Sequence, residues 1–136
     1  MVKLIVGPKG TGKTKSLVEL VRQAVDKENG SVVCLEKERN LTYDIPYTVR
    51  LIHVCDYDFG SIEFFKGFIS GLHAANYDIT HIFIDSLFKM FDEPDMEKVA
   101  KLLDELDAFG KKENINFTIT ATADPEKIAD NIKKYC

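Results

Sequence analysis

The sequence predicts an α/β fold of three layers, a five-stranded parallel sheet with helices on both faces. Short runs near residues 4–6, 31–35, 50–54, 81–84 and 116–120 are largely apolar rather than strictly alternating, as strands covered on both sides are. Between most of them, apolar residues recur every three or four positions, the spacing of a helix packed along one side. A glycine-rich segment joins the first run directly to the first helical stretch. At 136 residues, the chain is expected to form one domain, 1–136, which buries roughly two-thirds of its unfolded surface.

The elements follow in order. Leu4 to Val6 is the first strand. Leu17, Val18, Val21, Ala24 and Val25 mark the first helix, with Gly30 placed to end it. Ser31 to Leu35 is a β-branched second strand with Glu36 at its end. Residues 37–48 contain Asn40, Asp44 and Pro46 without a sustained helical period, so an irregular connection is expected there. Its length still permits a parallel crossover to a third strand, Arg50 to Val54. A polar loop, Asp56 to Gly60, precedes a helix carrying Ile62, Phe65, Phe68, Ile69 and Leu72, with Ser61 as N-cap. His81 to Ile84 is the fourth strand. Val99, Leu102, Leu103, Leu106 and Phe109 form the next helix, entered near Pro94, and Asn116 to Thr120 is the fifth strand. Asp124-Pro125-Glu126 reads as a helix start, with Ile128, Ile132 and Tyr135 facing inward.

Composition sets bounds on function. Hydrophobic content of 45% and charged content of 29% suit a globular domain. A net charge of −4 argues against a dedicated nucleic-acid surface, which needs a basic face. No apolar run has the length of a membrane span, and the first strand begins at once, leaving no visible signal segment. Cys34, Cys55 and Cys136 match no zinc spacing. Cys34 reads as core, and an unpaired set suits a reducing, cytoplasmic location.

The segment Gly7-Pro8-Lys9-Gly10-Thr11-Gly12-Lys13-Thr14 fits G-x-x-x-x-G-K-[ST] without departure. By average residue frequencies, a chance match in a chain this long is on the order of a few in a thousand. The glycines allow a loop whose backbone N–H groups turn inward and hold phosphate beside a helix N-terminus. Lys13 then reaches the β- and γ-phosphates, and the Thr14 hydroxyl sits on Mg²⁺.

With that motif the chain resembles the P-loop NTPase superfamily. Ile82-Phe83-Ile84-Asp85-Ser86 resembles its Walker B strand, which makes Asp85 the carboxylate that holds hydrated Mg²⁺ opposite Thr14. The glutamate that many P-loop ATPases carry directly after that aspartate is absent, since Ser86 stands there. The RecA-like (ASCE) branch instead places a glutamate at the end of the strand after the P-loop helix and often has Asp-Ser at Walker B. Glu36 and Asp85-Ser86 are similar to both features. The resemblance implies a sheet order 3-2-4-5-1 and Glu36 as the general base or water-positioning group. On residue type alone, Glu36 reads equally as one charge in the exposed run Glu36-Lys37-Glu38-Arg39. A looser resemblance runs to short bacterial PilT-like ATPases, without their second domain or their acidic and histidine-rich boxes.

In a parallel sheet, all residues just past the strands share one edge, where ligands bind. Glu36, Asp56, Asp58, Asp85, Ser86, Thr122 and Asp124 therefore converge on the phosphate loop. Thr120 and Thr122 also end the fifth strand, where one reading is a γ-phosphate sensor; for Thr120 the preferred reading is a strand former. Lys9 is read either as added phosphate charge or as a solvent-exposed residue. His53 and His81 read as packed or edge residues, and His73 carries no signal.

Three functions follow as expectations. The first is an ATP-binding, Mg²⁺-dependent ATPase of low intrinsic activity, with Lys13 and Glu36 as catalytic groups. The second is a nucleotide-dependent binding module that hydrolyses little alone, with Tyr43, Tyr47, Tyr57 and Phe59 offering a loop surface to a protein partner. The third, a small-molecule kinase, lacks an arginine-rich lid: only Arg22, Arg39 and Arg50 exist. The resemblance also leaves the first strand at a sheet edge, which invites self-association.

Overall fold

Apolar side chains placed where both faces of a strand are covered produce the central sheet seen in the computed structural model, which describes residues 1–57 and 60–136. Its strands are β1 (Val2–Gly7), β2 (Ser31–Glu36), β3 (Arg50–His53), β4 (Ile79–Ile84) and β5 (Asn116–Thr122). All pairings are parallel. The order is β1-β5-β4-β2-β3, which read from the β3 edge is 3-2-4-5-1. Helices α1 (Lys13–Lys27), α2 (Ile62–Ala75), α3 (Met96–Glu113) and the short α4 (Asp130–Lys133) complete the fold, with single 3₁₀ turns at Val54–Asp56 and Leu87–Met90.

The core is split by the sheet. On one face Leu17, Val21 and Ala24 of α1 pack on Val32, Cys34 and Phe83. The β2–β3 connection is irregular as expected, and it covers this face through Leu41, Ile45 and Val49. On the other face, Phe65 and Ile69 of α2 and Val99, Leu102, Leu103 and Leu106 of α3 bury Val33, Leu35, Ile82, Ile84, Phe117 and Ile119. Burial raises the pKa of the Cys34 thiol far above its ordinary value, so it behaves as a small apolar side chain.

Three local expectations are corrected. Gly30 does not end the first helix: that helix stops at Glu28, whose N–H donates to the Ala24 carbonyl. Gly30 is needed for close approach, since a Cβ there would lie 2.0 Å from Thr80 Cγ2 and 2.5 Å from the Asp78 carbonyl oxygen. The C-terminal helix does not start at Asp124. The Asp124 side chain accepts from Glu126 N–H at 3.0 Å and closes a single turn, extended Ala129 interrupts it, and α4 begins at Asp130. Ile132 is still buried. The third strand ends at His53, and Val54 belongs to a 3₁₀ turn.

β1 is a sheet edge, and part of that edge is closed. Val2 N–H donates to Asp107 Oδ1 at 3.0 Å, and Leu4 N–H donates to the Tyr135 carbonyl at 2.8 Å. Among the described residues, no helix is long and apolar enough to cross a membrane.

Candidate functional site

The loop from Gly7 to Gly12 leaves β1 and returns the chain into α1. Its geometry depends on two left-handed glycines, Gly10 at φ 84° and Gly12 at φ 80°, where a side chain would be strained. Gly7 is tight for another reason: a Cβ there would lie 2.8 Å from Thr11 Oγ1. The Thr11 hydroxyl donates to the Pro8 carbonyl at 2.7 Å, which tightens the loop. Gly12 is the N-cap of α1, and it gives the helix no side-chain cap and no acid in the first turn. By contrast, Ser61 caps α2 through Phe64 N–H, and Asp95 caps α3 through Glu97 N–H. The N–H groups and positive dipole end of α1 therefore face the loop without an anionic side chain of their own.

Lys13 Nζ donates to the Pro8 carbonyl at 2.7 Å and lies 3.5 Å from Thr11 Oγ1. The ammonium thus folds back over its own loop, next to the main-chain donors. Pro8, Lys9, Gly10, Thr11 and Thr14 are exposed, and Gly7 is buried.

The fourth strand brings Asp85 to this loop. Asp85 N–H donates to the Leu35 carbonyl at 2.9 Å, which extends the β4–β2 ladder one residue past the strand. Its carboxylate meets Thr14: the Thr14 hydroxyl is 3.2 Å from both Oδ1 and Oδ2. A hydroxyl and a carboxylate are hard oxygen donors of the kind that Mg²⁺ takes together with phosphate oxygens and water. That chemistry and placement fit a Mg²⁺–phosphate group. Among the described residues, no group of three or more His, Cys, Asp or Glu side chains forms an all-protein metal cluster.

Thr120 is the residue that sequence reasoning undervalued. It is 1% exposed. Its hydroxyl donates to Asp85 Oδ1 at 2.6 Å and accepts from Ser86 N–H at 2.8 Å. Ser86 is one of two non-glycine residues with positive φ among those described, at 62°.

Glu36 is enclosed by the turn that follows its strand. It is 2% exposed, and both carboxylate oxygens are engaged: Oε1 accepts from Asn40 N–H at 2.7 Å and Oε2 from Leu41 N–H at 3.1 Å. His53 Nδ1 stands 3.4 Å from Oε2. This corrects the reading of Glu36 as a solvated charge in an exposed run, since the residue is buried. The turn after β2 wraps onto Glu36, whose charged carboxylate makes strong bonds to the main-chain N–H groups of that turn.

The other rim residues separate. Asp56 pairs with Arg39, Asp124 caps its own turn, and Asp58 and Phe59 lie outside the described residues. Thr122 is level with Gly7 in the β1–β5 register, and Ala123 N–H donates to the Gly7 carbonyl at 3.1 Å. No family model and no curated protein matches the chain. Its chemistry is therefore read from its own residues. Tyr43 and Tyr47 are almost fully exposed and Tyr57 about half so, at 99%, 97% and 47%. Arg22 donates to the Asp44 carbonyl at 3.0 Å, which ties α1 to the β2–β3 connection.

His81, away from the loop, sits in a partly buried network. Nδ1 is 2.8 Å from Glu28 Oε2 and Nε2 is 2.8 Å from Thr118 Oγ1, and the ring stacks on Phe83 with centroids 4.0 Å apart. Burial lowers its pKa, opposed by the Glu28 carboxylate. It is a packed residue rather than a ligand to the loop.

Proposed function

We propose that the chain binds a nucleoside triphosphate, ATP in the first instance, with Mg²⁺, as a P-loop NTPase of the RecA-like type, and hydrolyses it slowly when alone. The observation that carries this reading is the contact between Thr14 and Asp85, 71 residues apart in sequence and joined at 3.2 Å, beside a glycine-shaped loop with an uncapped helix start. The main-chain N–H groups of 9–14 would cradle the phosphates, and Lys13 would supply the cation. Thr14 and Asp85 would hold Mg²⁺, which when bound spreads and neutralises phosphate charge.

The slow rate follows from Glu36. With both its oxygens accepting from Asn40 and Leu41 N–H groups and the residue buried, its carboxylate has little room for an attacking water in this arrangement. The same observation favours the second reading, a nucleotide-dependent binding module whose hydrolysis is completed by groups from a partner. The exposed Tyr43 and Tyr47 lie on the very connection that engages Glu36. Phosphate release from MgATP tests this: low turnover is expected in the native protein and none in Lys13→Ala. Fast turnover that survives Lys13→Ala would contradict the assignment. The kinase reading lacks an arginine lid among the described residues, since Arg22 and Arg39 are bound to Asp44 and Asp56 and Arg50 to the Leu51 carbonyl.

A further inference from the structure

We propose that Thr120 is a positioning residue that aims the Asp85 carboxylate at the metal, an inference that rests on the nucleotide reading above. The geometry begins with strand order. β5 lies between β1, which carries the phosphate loop, and β4, which carries Asp85. The register pairs Thr120 with Ile5 and Ile119 with Ile84, so Thr120 stands one step past Ile84, level with the Asp85 side chain and behind the loop.

A threonine hydroxyl has one proton and two lone pairs. Ser86 N–H occupies a lone pair at 2.8 Å, and the proton goes to Asp85 Oδ1 at 2.6 Å. That bond is short, as hydrogen bonds to a charged acceptor are. The hydroxyl is buried, so water does not compete for it. Oδ1 therefore takes Thr120 as well as Thr14, whereas Oδ2 takes Thr14 alone among the contacts described. Oδ2 is the oxygen left to face a hydrated cation. Ser86 completes the device: a non-glycine residue in the left-handed region is strained, and its N–H bond into Thr120 helps to hold it there. The same hydroxyl thus fixes both the carboxylate and the backbone turn behind it. A threonine present only for strand packing has no need of either bond.

The test compares Thr120→Val, which keeps the shape and removes the hydroxyl, with Thr120→Ser, which keeps the hydroxyl. Thr120→Cys, a weak donor of similar size, serves the same purpose if the valine protein does not fold. Binding of a fluorescent ATP analogue to the full chain is measured in EDTA and across a Mg²⁺ titration. Thr120→Val is expected to bind as the native protein does in EDTA. The Mg²⁺ concentration for half-maximal enhancement is expected to rise about tenfold, the usual cost of losing a group that orients a metal ligand. Thr120→Ser is expected to restore the native midpoint. In an Asp85→Asn background the valine change is expected to add nothing, because the two residues act as one unit. A folded Thr120→Val or Thr120→Cys protein with the native Mg²⁺ midpoint would overturn the proposal alone. Native protein that binds no nucleotide in either condition would overturn the underlying nucleotide reading, and the proposal with it.

Discussion

At the scale of single residues, two titratable groups off the phosphate loop, Glu36 and His81, give opposite lessons. Glu36 holds the turn after β2 through two main-chain N–H groups. A glutamine there offers one acceptor and sets an NH₂ group against a donor. Glu36→Gln is expected to lower unfolding stability by about 1–3 kcal/mol while leaving nucleotide affinity unchanged, as measured by urea denaturation alongside binding. Unaltered stability with hydrolysis abolished would instead support the general-base role. His81 is held neutral, its pKa lowered from the ordinary 6.5 chiefly by burial. A group whose folded pKa is lowered in this way stabilises the fold fully above the unfolded value, and that stability is lost as pH falls through the folded value. The thermal midpoint of the native protein is expected to drop between pH 7 and pH 5. His81→Gln is expected to flatten that part of the profile; an unchanged slope in the variant would count against His81 as its source.

Neither environment was legible in the sequence. Whether a carboxylate at a strand end faces solvent, substrate or its own chain depends on the path of the following turn, and residues 37–41 carry no strong turn signature. Thr120 was obscured by a different cause. Its hydroxyl matters because β5 sits between β1 and β4; the resemblance implies that order, but no local pattern around Asn116–Thr122 shows which side chain meets Asp85.

At the scale of elements, local patterns did most of the work. The apolar periods of α1, α2 and α3 and the continuous apolar strands place the layers because the physics they report, burial of a stripe or of both faces, is local. The Ser61 cap was readable for the same reason, and the structure has its hydroxyl accepting from Phe64 N–H at 3.0 Å. The tail misled because Asp124 and Pro125 do start a turn, but extended Ala129 breaks it before α4. Gly30 shows how a tertiary constraint can look like a helix cap. Gly30→Ala drives a methyl into Thr80 and the Asp78 carbonyl. The expected cost is about 1–3 kcal/mol of stability, with no change in nucleotide affinity, since Gly30 precedes β2 at the sheet edge opposite the phosphate loop. Equal stability of the two proteins in urea would show that the neighbours relax freely.

At the scale of the whole molecule, parallel strands carry one consequence: residues far apart in sequence meet along the carboxyl edge, as Thr14 and Asp85 do. The same sheet leaves β1 at an edge, and the chain closes part of it with Asp107 and with the Tyr135 carbonyl. The Tyr135 hydroxyl also donates to Asp104, fixing the tail to α3. Removal of 134–136 takes away the group that covers Leu4 N–H and is expected to increase self-association, read by light scattering during gel filtration. A truncated chain with the mass distribution of the full one would show that the tail does not guard the edge.

The central claim is that the glycine loop and Asp85 form one site for a nucleotide and its cation. Titration of ATP into native and Asp85→Asn protein, with and without Mg²⁺, tests it most directly. Mg²⁺ is predicted to tighten binding to the native protein and to lose that effect in Asp85→Asn, while metal-free binding stays similar in both. Identical Mg²⁺ enhancement in the two proteins, or no binding by the native chain, would contradict it.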